Sequence, residues 1–361
     1  MKSILRQLST PVIAAVLAML VGGIVAAAIG YNPLQVYGSL LSGAFGNAYN
    51  LGNTLAIATP LILIGLGIAV AFRAGLFNIG AEGQYWVAVM CAAWTGYHFT
   101  TLPGWLHIIL CLLVAMVAGG LWAGIIPGLA KTYRGAHEVI TTMMMSYIGI
   151  LLCKYMIEEG PMRKPGSMPE SEAVAQNTWL PVLSPSSPQL TIGLFIAIAA
   201  VIVVWFILFH TTIGFQLRTV GLNPRAARYA GIRVTWYTIL ALGLSGMLAG
   251  LAGGVQLLAM DHRLAEGFNT GYGYTGIVVS LLARNNPFGV IVSAIFFAAL
   301  STGGQNMQQV TNIPASLTDV LTGLIIFFVA AERLLPQVIQ WYRRRTSRVR
   351  TSTAGEGPKS A

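Results

Sequence analysis

Charge is scarce in this sequence. Of 361 residues only 9% are charged, with 11 acids against 21 lysines and arginines. A soluble domain carries about 25%, so an ordinary globular protein is excluded. Cysteine is scarce too: Cys91, Cys111 and Cys153 all lie in apolar segments without ligand spacing and read as packed free thiols. The five histidines are dispersed, with no His-x-x-x-His pair, so no metal site is expected. No lysine stands in a Gly-x-x-x-x-Gly-Lys-Ser/Thr context, which excludes a Walker A nucleotide site. There is no Gly-x-Ser-x-Gly elbow and no serine–histidine constellation, so no catalytic residue is assigned.

What is present is hydrocarbon. The chain is 55% hydrophobic, its mean hydropathy is +0.71, and apolar runs of about 20 residues recur, the signature of transmembrane helices. The expectation is an all-α, polytopic membrane protein of about ten transmembrane helices, some short or broken. The spans fall at 11–30, 53–72, 81–97, 105–126, 138–157, 190–210, 238–260, 270–283, 287–302 and 317–335. The first follows Lys2 and Arg6 as a signal peptide would, but its length favours a retained anchor.

Ten spans put both termini on one side. With that side cytoplasmic, 17 of the 21 basic residues lie inside, and only Lys154, Arg163, Lys164 and Arg263 lie outside. The positive-inside rule therefore places both termini in the cytoplasm. Spans 81–97, 270–283 and 287–302 are too short for a roughly 30 Å core. Broken helices are tolerated only where buried or lining a cavity, which makes these three the expected pathway walls. Ser301–Gln305 then reads as small residues at the end of a membrane helix.

Polar residues stand out against this background. Phe72–Trp86 places Arg73, Asn78, Glu82 and Gln84 among Gly75, Gly80 and Gly83, between two apolar runs. Ionisable groups next to hydrocarbon read as functional by default. Asn78, Glu82 and Tyr85 fall at helical spacing for one face. Thr141, Thr142, Ser146 and Tyr147 follow in the span at 138–157, and Asn269 and Tyr272 stand at the start of the eighth span. Hydroxyls, amides and aromatic rings with few formal charges suit a neutral polar ligand with a ring-shaped part; interhelical hydrogen bonding is the competing reading. Glu82 is expected at an inner gate if 81–97 is a full span, and near mid-depth if the segment is re-entrant; the inner gate is the adopted reading.

Three segments lie outside the hydrocarbon. Residues 158–189 hold six prolines and the acids Glu158, Glu159, Glu170 and Glu172, and read as an irregular external loop or cap. Residues 211–237 contain Arg218, Arg225, Arg228 and Arg233. Within them Asn223 is an N-cap, Pro224 a first helical residue, and Gly231 a stop. A helix this short is unstable alone and needs a partner surface. The tail 341–361, with five arginines in Tyr342–Arg350, is expected to be disordered and drawn to anionic lipid. No aromatic-interleaved basic surface exists, so no nucleic-acid partner is expected.

Phe72–Gln84, the run Gly-Phe-Gln-Leu-Arg-Thr-Val-Gly-Leu-Asn-Pro-Arg-Ala-Ala-Arg-Tyr-Ala-Gly at 214–231, and Ala-His-Glu-Val-Ile-Thr-Thr-Met-Met-Met-Ser-Tyr at 136–147 carry a resemblance. Between about residues 50 and 335 the chain resembles ABC-importer permeases of the ribose, nucleoside and branched-chain amino acid superfamily, nearest the nucleoside branch. Ser146 departs from it, standing where that pattern carries asparagine. The resemblance implies ABC-importer permease architecture in a domain spanning 1–340, in a bacterial plasma (inner) membrane. It also implies a cytoplasmic ABC ATPase that binds the ATP, a second permease subunit, homologous or identical, and an external substrate-binding protein, with no cofactor in this chain. The pathway or gate would be Asn78, Glu82, Gln84, Tyr85, Thr141, Thr142, Ser146, Tyr147, Asn269 and Tyr272. Arg218, Asn223, Pro224, Arg225, Ala227, Arg228, Tyr229 and Gly231 would couple to the ATPase. Nucleosides are the leading substrate class, with simple sugars or other small polar solutes as the alternative within transport, and an ATP-independent channel or facilitator as the alternative mechanism.

Overall fold

The computed structural model describes residues 17, 19–166, 168–265, 267, 271–311, 314 and 316–331. Asn269 and the tail 341–361 lie outside the described residues, as do Lys2, Arg6, Arg333 and part of the first and last spans. The chain divides into two units, Gly38–Asn312 and a smaller one made of Met1–Tyr37 with Ile313–Ala361. In the smaller unit are helices α1 (Met19–Ala28) and α14 (Ser316–Ala331), joined by the start of α2 (Pro33–Phe45). There the Tyr37 hydroxyl donates to the Met19 carbonyl.

The larger unit is built around α3 (Ala48–Arg73), 26 residues long. Asn47 caps it, its side chain accepting from Asn50 N at 2.7 Å. Every residue from Ala56 to Ala71 is buried. A helix apolar on all sides is stable only inside a larger bundle or in lipid, and α3 has the bundle. Around it pack α8 (Gly193–His210), α11 (Val234–Gln256), α12 (Tyr272–Leu282) and α13 (Pro287–Thr311), while α4 (Ala81–His98) packs against α11 and α12. Outside these lie α5 (Gly104–Ala123), continued by a π-turn at Gly124–Gly128 into α6 (Leu129–Arg134), and α7 (Glu138–Glu158). Among the described residues six helices are long and apolar enough to cross a membrane, and Met19–Ala28 and Tyr272–Leu282 are shorter apolar ones. The outer helices expose large apolar side chains such as Leu113, Leu121, Ile148, Leu151 and Phe206, as lipid contact requires.

Helices α5 and α11 meet backbone to backbone. A Cβ on Gly246 would lie 2.3 Å from the Gly119 carbonyl oxygen, so nothing larger than glycine fits at that crossing. Small residues at a membrane helix interface permit this approach, and dispersion then holds the pair.

The larger unit has two chemically different ends. At one end, loop residues Glu170–Ala175 run beside His262–Ala265 and bond to them: Ser171 N to Leu264 O at 2.7 Å and Val174 N to His262 O at 2.8 Å. A hairpin of β1 (Val182–Ser184) and β2 (Ser187–Thr191) completes this cap. Residues 158–189 are otherwise largely irregular, with this hairpin as their strand structure among the described residues. At the other end are Arg73, α9 (Thr212–Leu222) and α10 (Pro224–Tyr229).

One span differs from expectation. Residues 287–302 read as short, yet α13 runs 25 residues, and Ser301–Gln305 lies within it rather than at its end. Just beyond this run Asn306 is tied in, its Nδ2 donating to Gly43 O at 3.2 Å and Thr302 O at 3.0 Å. The span at 270–283 is short as expected, its helix α12 having 11 residues.

Candidate functional site

After Arg73 the chain turns through Gly75, whose φ of 73° is natural only for glycine. It then runs back without regular structure to α4. The depth of that return follows from α12, which lies parallel to α3. Gly276 meets Ile64, and Arg73 Nε donates to Asn285 O at 2.8 Å, the same offset of 212 residues in both contacts. Gly273, one turn earlier, therefore sits beside Leu61, the middle of α3. Its N–H donates to Glu82 Oε2 at 2.6 Å. At 1.5 Å per residue α3 is about 39 Å long, so Glu82 lies nearly 20 Å from either end. Glu82 and the start of α4 therefore lie level with the middle of α3, whereas the inner-gate expectation places Glu82 at the Arg73 end.

Each polar group in this stretch has work to do. Asn78 and Gln84 form a reciprocal amide pair, Asn78 Nδ2 to Gln84 Oε1 at 2.9 Å and Gln84 Nε2 to Asn78 Oδ1 at 3.0 Å. Asn78 Nδ2 also donates to Ser245 Oγ at 2.9 Å, and Gly80 N donates to Asn78 Oδ1 at 3.0 Å. Asn78 thus acts as a cap for α4, whose N-cap Gly80 has no side chain to offer. Helix α7 completes the arrangement: Ile79 N donates to Thr142 Oγ1 at 3.3 Å and Gly83 N to Ser146 Oγ at 3.1 Å. Glu82 is fully buried and uses both oxygens, accepting from Trp86 Nε1 at 3.2 Å as well as from Gly273. Its carboxylate faces the N-terminus of α12, where the helix dipole favours negative charge. The Tyr85 and Tyr272 rings meet edge to face at 6.1 Å.

Seven of the sequence-derived residues therefore gather in one buried knot: Asn78, Glu82, Gln84, Tyr85, Thr142, Ser146 and Tyr272. Two do not join it. The Thr141 hydroxyl donates to its own helix, to Glu138 O at 3.1 Å, and Tyr147 is 48% exposed. Sequence reading missed Ser245, which sits in an otherwise apolar helix with no spacing signal. It also missed Gln256 and Asp261, bonded at 2.8 Å across the π-turn Leu257–Asp261 near the cap; an acid closing a long apolar run was the available signal. Among the described residues no three His, Cys, Asp or Glu side chains group as a metal site.

The second region forms as the sequence requires. Asn223 Oδ1 accepts from Arg225 N at 3.0 Å and Ala226 N at 3.1 Å, and Gly231 ends the helix with a φ of 78°. Ala227 packs into Val220 and Ile232, while Arg225, Arg228 and Tyr229 are exposed. Arg218 lies apart from them. Its guanidinium is 5.0 Å from the Phe209 ring centroid, a ring it shares with Arg73 at 4.8 Å.

The family described as branched-chain amino acid transport system, permease component, matches residues 50–330. The chain belongs to this family. It is 38% identical over 331 residues to the guanosine ABC transporter permease protein NupP of Bacillus subtilis, covering 91% of this chain and 94% of that one. It is 36% identical to the nucleoside ABC transporter permease protein NupB of Lactococcus lactis, covering 91% and 92%. The glucose ABC transporter permease protein TsgB13 of Haloferax volcanii is 33% identical, covering 89% and 86%. The permease is accordingly a multi-pass membrane subunit of an ABC transporter, the component without an ATPase domain, in a family without cofactors.

Proposed function

We propose that this permease takes nucleosides across a bacterial plasma membrane in an ATP-driven importer. What carries the reading is the pair of relatives named for guanosine and for nucleosides, each similar across nine-tenths of this chain. The glucose permease supports a second reading, a simple-sugar permease; the ribose of a nucleoside is the chemistry the two share. The chain spans the membrane about ten times with both termini cytoplasmic, as its basic residues favour. The arginine end is then cytoplasmic and the hairpin cap external. A second permease subunit completes the pathway, an external binding protein delivers the ligand, and the exposed face of Arg225, Arg228 and Tyr229 docks on a cytoplasmic ATPase.

Within the pathway we assign Glu82, Tyr85 and Tyr272 to a gate at mid-depth, with Asn78, Gln84, Thr142 and Ser146 holding its backbone. Tyr147 faces the pathway from the exposed side of α7. ATP-driven movement biases an inward–outward equilibrium, and the ligand drives nothing unless it binds the two states differently. The test is uptake of labelled guanosine by proteoliposomes holding the permease, its ATPase and its binding protein, with unlabelled glucose as competitor. ATP-dependent guanosine uptake that glucose leaves untouched is expected. Glucose uptake with no guanosine uptake would replace the nucleoside by the sugar reading, and uptake without ATPase would overturn the importer.

A further inference from the structure

Helix α12 is held at both ends by one short piece of chain. Glu82 accepts the N–H of Gly273 at its N-terminus, and Arg73, nine residues earlier, donates to Asn285 O just past its C-terminus. Acid at the N-terminus and base at the C-terminus is the arrangement the helix dipole favours. The C-terminal grip falls on a strained spot, because Arg284 and Asn285 both have positive φ, 51° and 58°. Non-glycine residues adopt that conformation only where contacts hold them. Asn285 is held three ways, by Arg73, by Ser280 O accepting its N–H at 2.9 Å, and by Ser280 Oγ at 3.1 Å to its side chain.

The same piece of chain touches the arginine-rich segment directly. A Cβ on Gly221, the penultimate residue of α9, would lie 2.1 Å from Arg73 O, and one on Gly75 would lie 3.0 Å from Gly221 O. The two backbones are thus in contact with no side chain between them to absorb movement. From the other direction α10 is fixed to α9 by Ala227 against Val220.

We propose that Arg73 and Glu82 are positioning residues that grip α12 at both ends, so that displacement of α9 passes through the Gly221–Gly75 contact and moves α12 as a unit. This rests on the reading that α10 docks on an ATPase. Sequence reading singled out Arg73 with Glu82 as ionisable groups beside hydrocarbon but gave it no partner; here it completes a clamp whose other jaw is the Glu82 carboxylate.

The test uses the reconstituted importer, with permease, ATPase and binding protein. Uptake per ATP hydrolysed is compared for Arg73→Ala, Glu82→Ala and the double variant. Each single change should lower that ratio about threefold to thirtyfold, the range of coupling-network substitutions. The double variant should lose no more than the worse single, because one broken jaw already frees the helix. A second readout separates transmission from mere structural support. Tyr274→Cys, on a half-exposed position of α12, should react with a water-soluble maleimide at a rate that changes between nucleotide-free and vanadate-trapped complexes. That change should vanish when Arg73→Ala is added, with the ATPase still co-purifying. Where an alanine variant fails to insert, Arg73→Lys and Glu82→Gln carry the comparison: a smaller loss of the same sign supports the clamp, and wild-type coupling overturns it. Additive losses in the double variant, or a nucleotide-dependent labelling change that survives Arg73→Ala, also overturn it. Arg225→Ala with Arg228→Ala tests the underlying reading separately. If that variant couples normally the docking assignment falls; if it uncouples while the clamp variants do not, only the clamp falls.

Discussion

Residues 73–86 and residues 223–231 both stood out as polar motifs, and their side chains are used in opposite ways. In the first, Asn78, Glu82 and Gln84 spend their hydrogen-bonding capacity inside the protein, on each other, on Ser245, on Trp86 and on backbone N–H groups. In the second, only Asn223 and Ala227 serve the segment itself, and Arg225, Arg228 and Tyr229, the last 94% exposed, project outward. A buried polar group must find its partner within the fold, since leaving it unpaired costs about 1–3 kcal/mol. The six-residue α10 is held within the protein by Ala227 against Val220 and Ile232, and its basic face stays exposed. The amide pair Asn78 and Gln84 should therefore answer substitution in stability, and Arg225 and Arg228 in coupling.

Asn78→Ala should show the largest effect. It strands the Gln84 amide, Gly80 N and Ser245 together, and a loss of about 3 kcal/mol is expected, read as a lowered thermal midpoint of the purified permease. An unchanged midpoint would mean that the buried knot is not structural. Arg225→Ala with Arg228→Ala should leave that midpoint alone and weaken ATPase association by about 2 kcal/mol, roughly thirtyfold, in a pull-down titration. A destabilised chain with intact association would reverse the comparison.

A finer test lies inside α7. Thr142→Ala removes the acceptor of Ile79 N and should cost about 1 kcal/mol, whereas Thr141→Ala loses only a bond to its own helix and should stay within about 0.5 kcal/mol. Equal effects would sink the distinction between buried and peripheral hydroxyls. The smallest effect belongs to the cap. Arg263, bonding Glu170 at 2.9 Å to both oxygens, holds the Glu170 carboxyl below the usual carboxylate range against desolvation, with the charges of Arg263 and Lys164 adding to the effect. The folded value lies below the unfolded one. Its contribution is therefore full above about pH 4.3, the free glutamate value, and is lost as pH falls through the depressed folded value. Amide exchange at Ser171 and Leu264 should quicken modestly over that acid range in wild type, and not in Glu170→Gln.

Much of this was legible in the residues. The spans are long apolar runs, α10 is Asn-Pro at one end and Gly at the other, and the eighth run is short in the sequence as its helix is in the structure. The lengthened ninth span was not legible, because Ser301–Asn306 reads as a helix end. Nor was the division between Thr141 and Thr142, which depends on which hydroxyl faces Ile79.

By itself the sequence determined the class of the protein, its helical apolar runs and the capped helix, because membrane burial and local capping depend on residues near one another in the chain. Only the tertiary structure decided where Phe72–Trp86 lies. The partners of Glu82 and Arg73 are Gly273 and Asn285, about two hundred residues away, and no local pattern encodes a contact between a side chain and a backbone group that distant. Those two contacts carry the stretch from the protein's basic end to the level of the middle of α3 and turn a run of isolated polar residues into the two jaws holding α12.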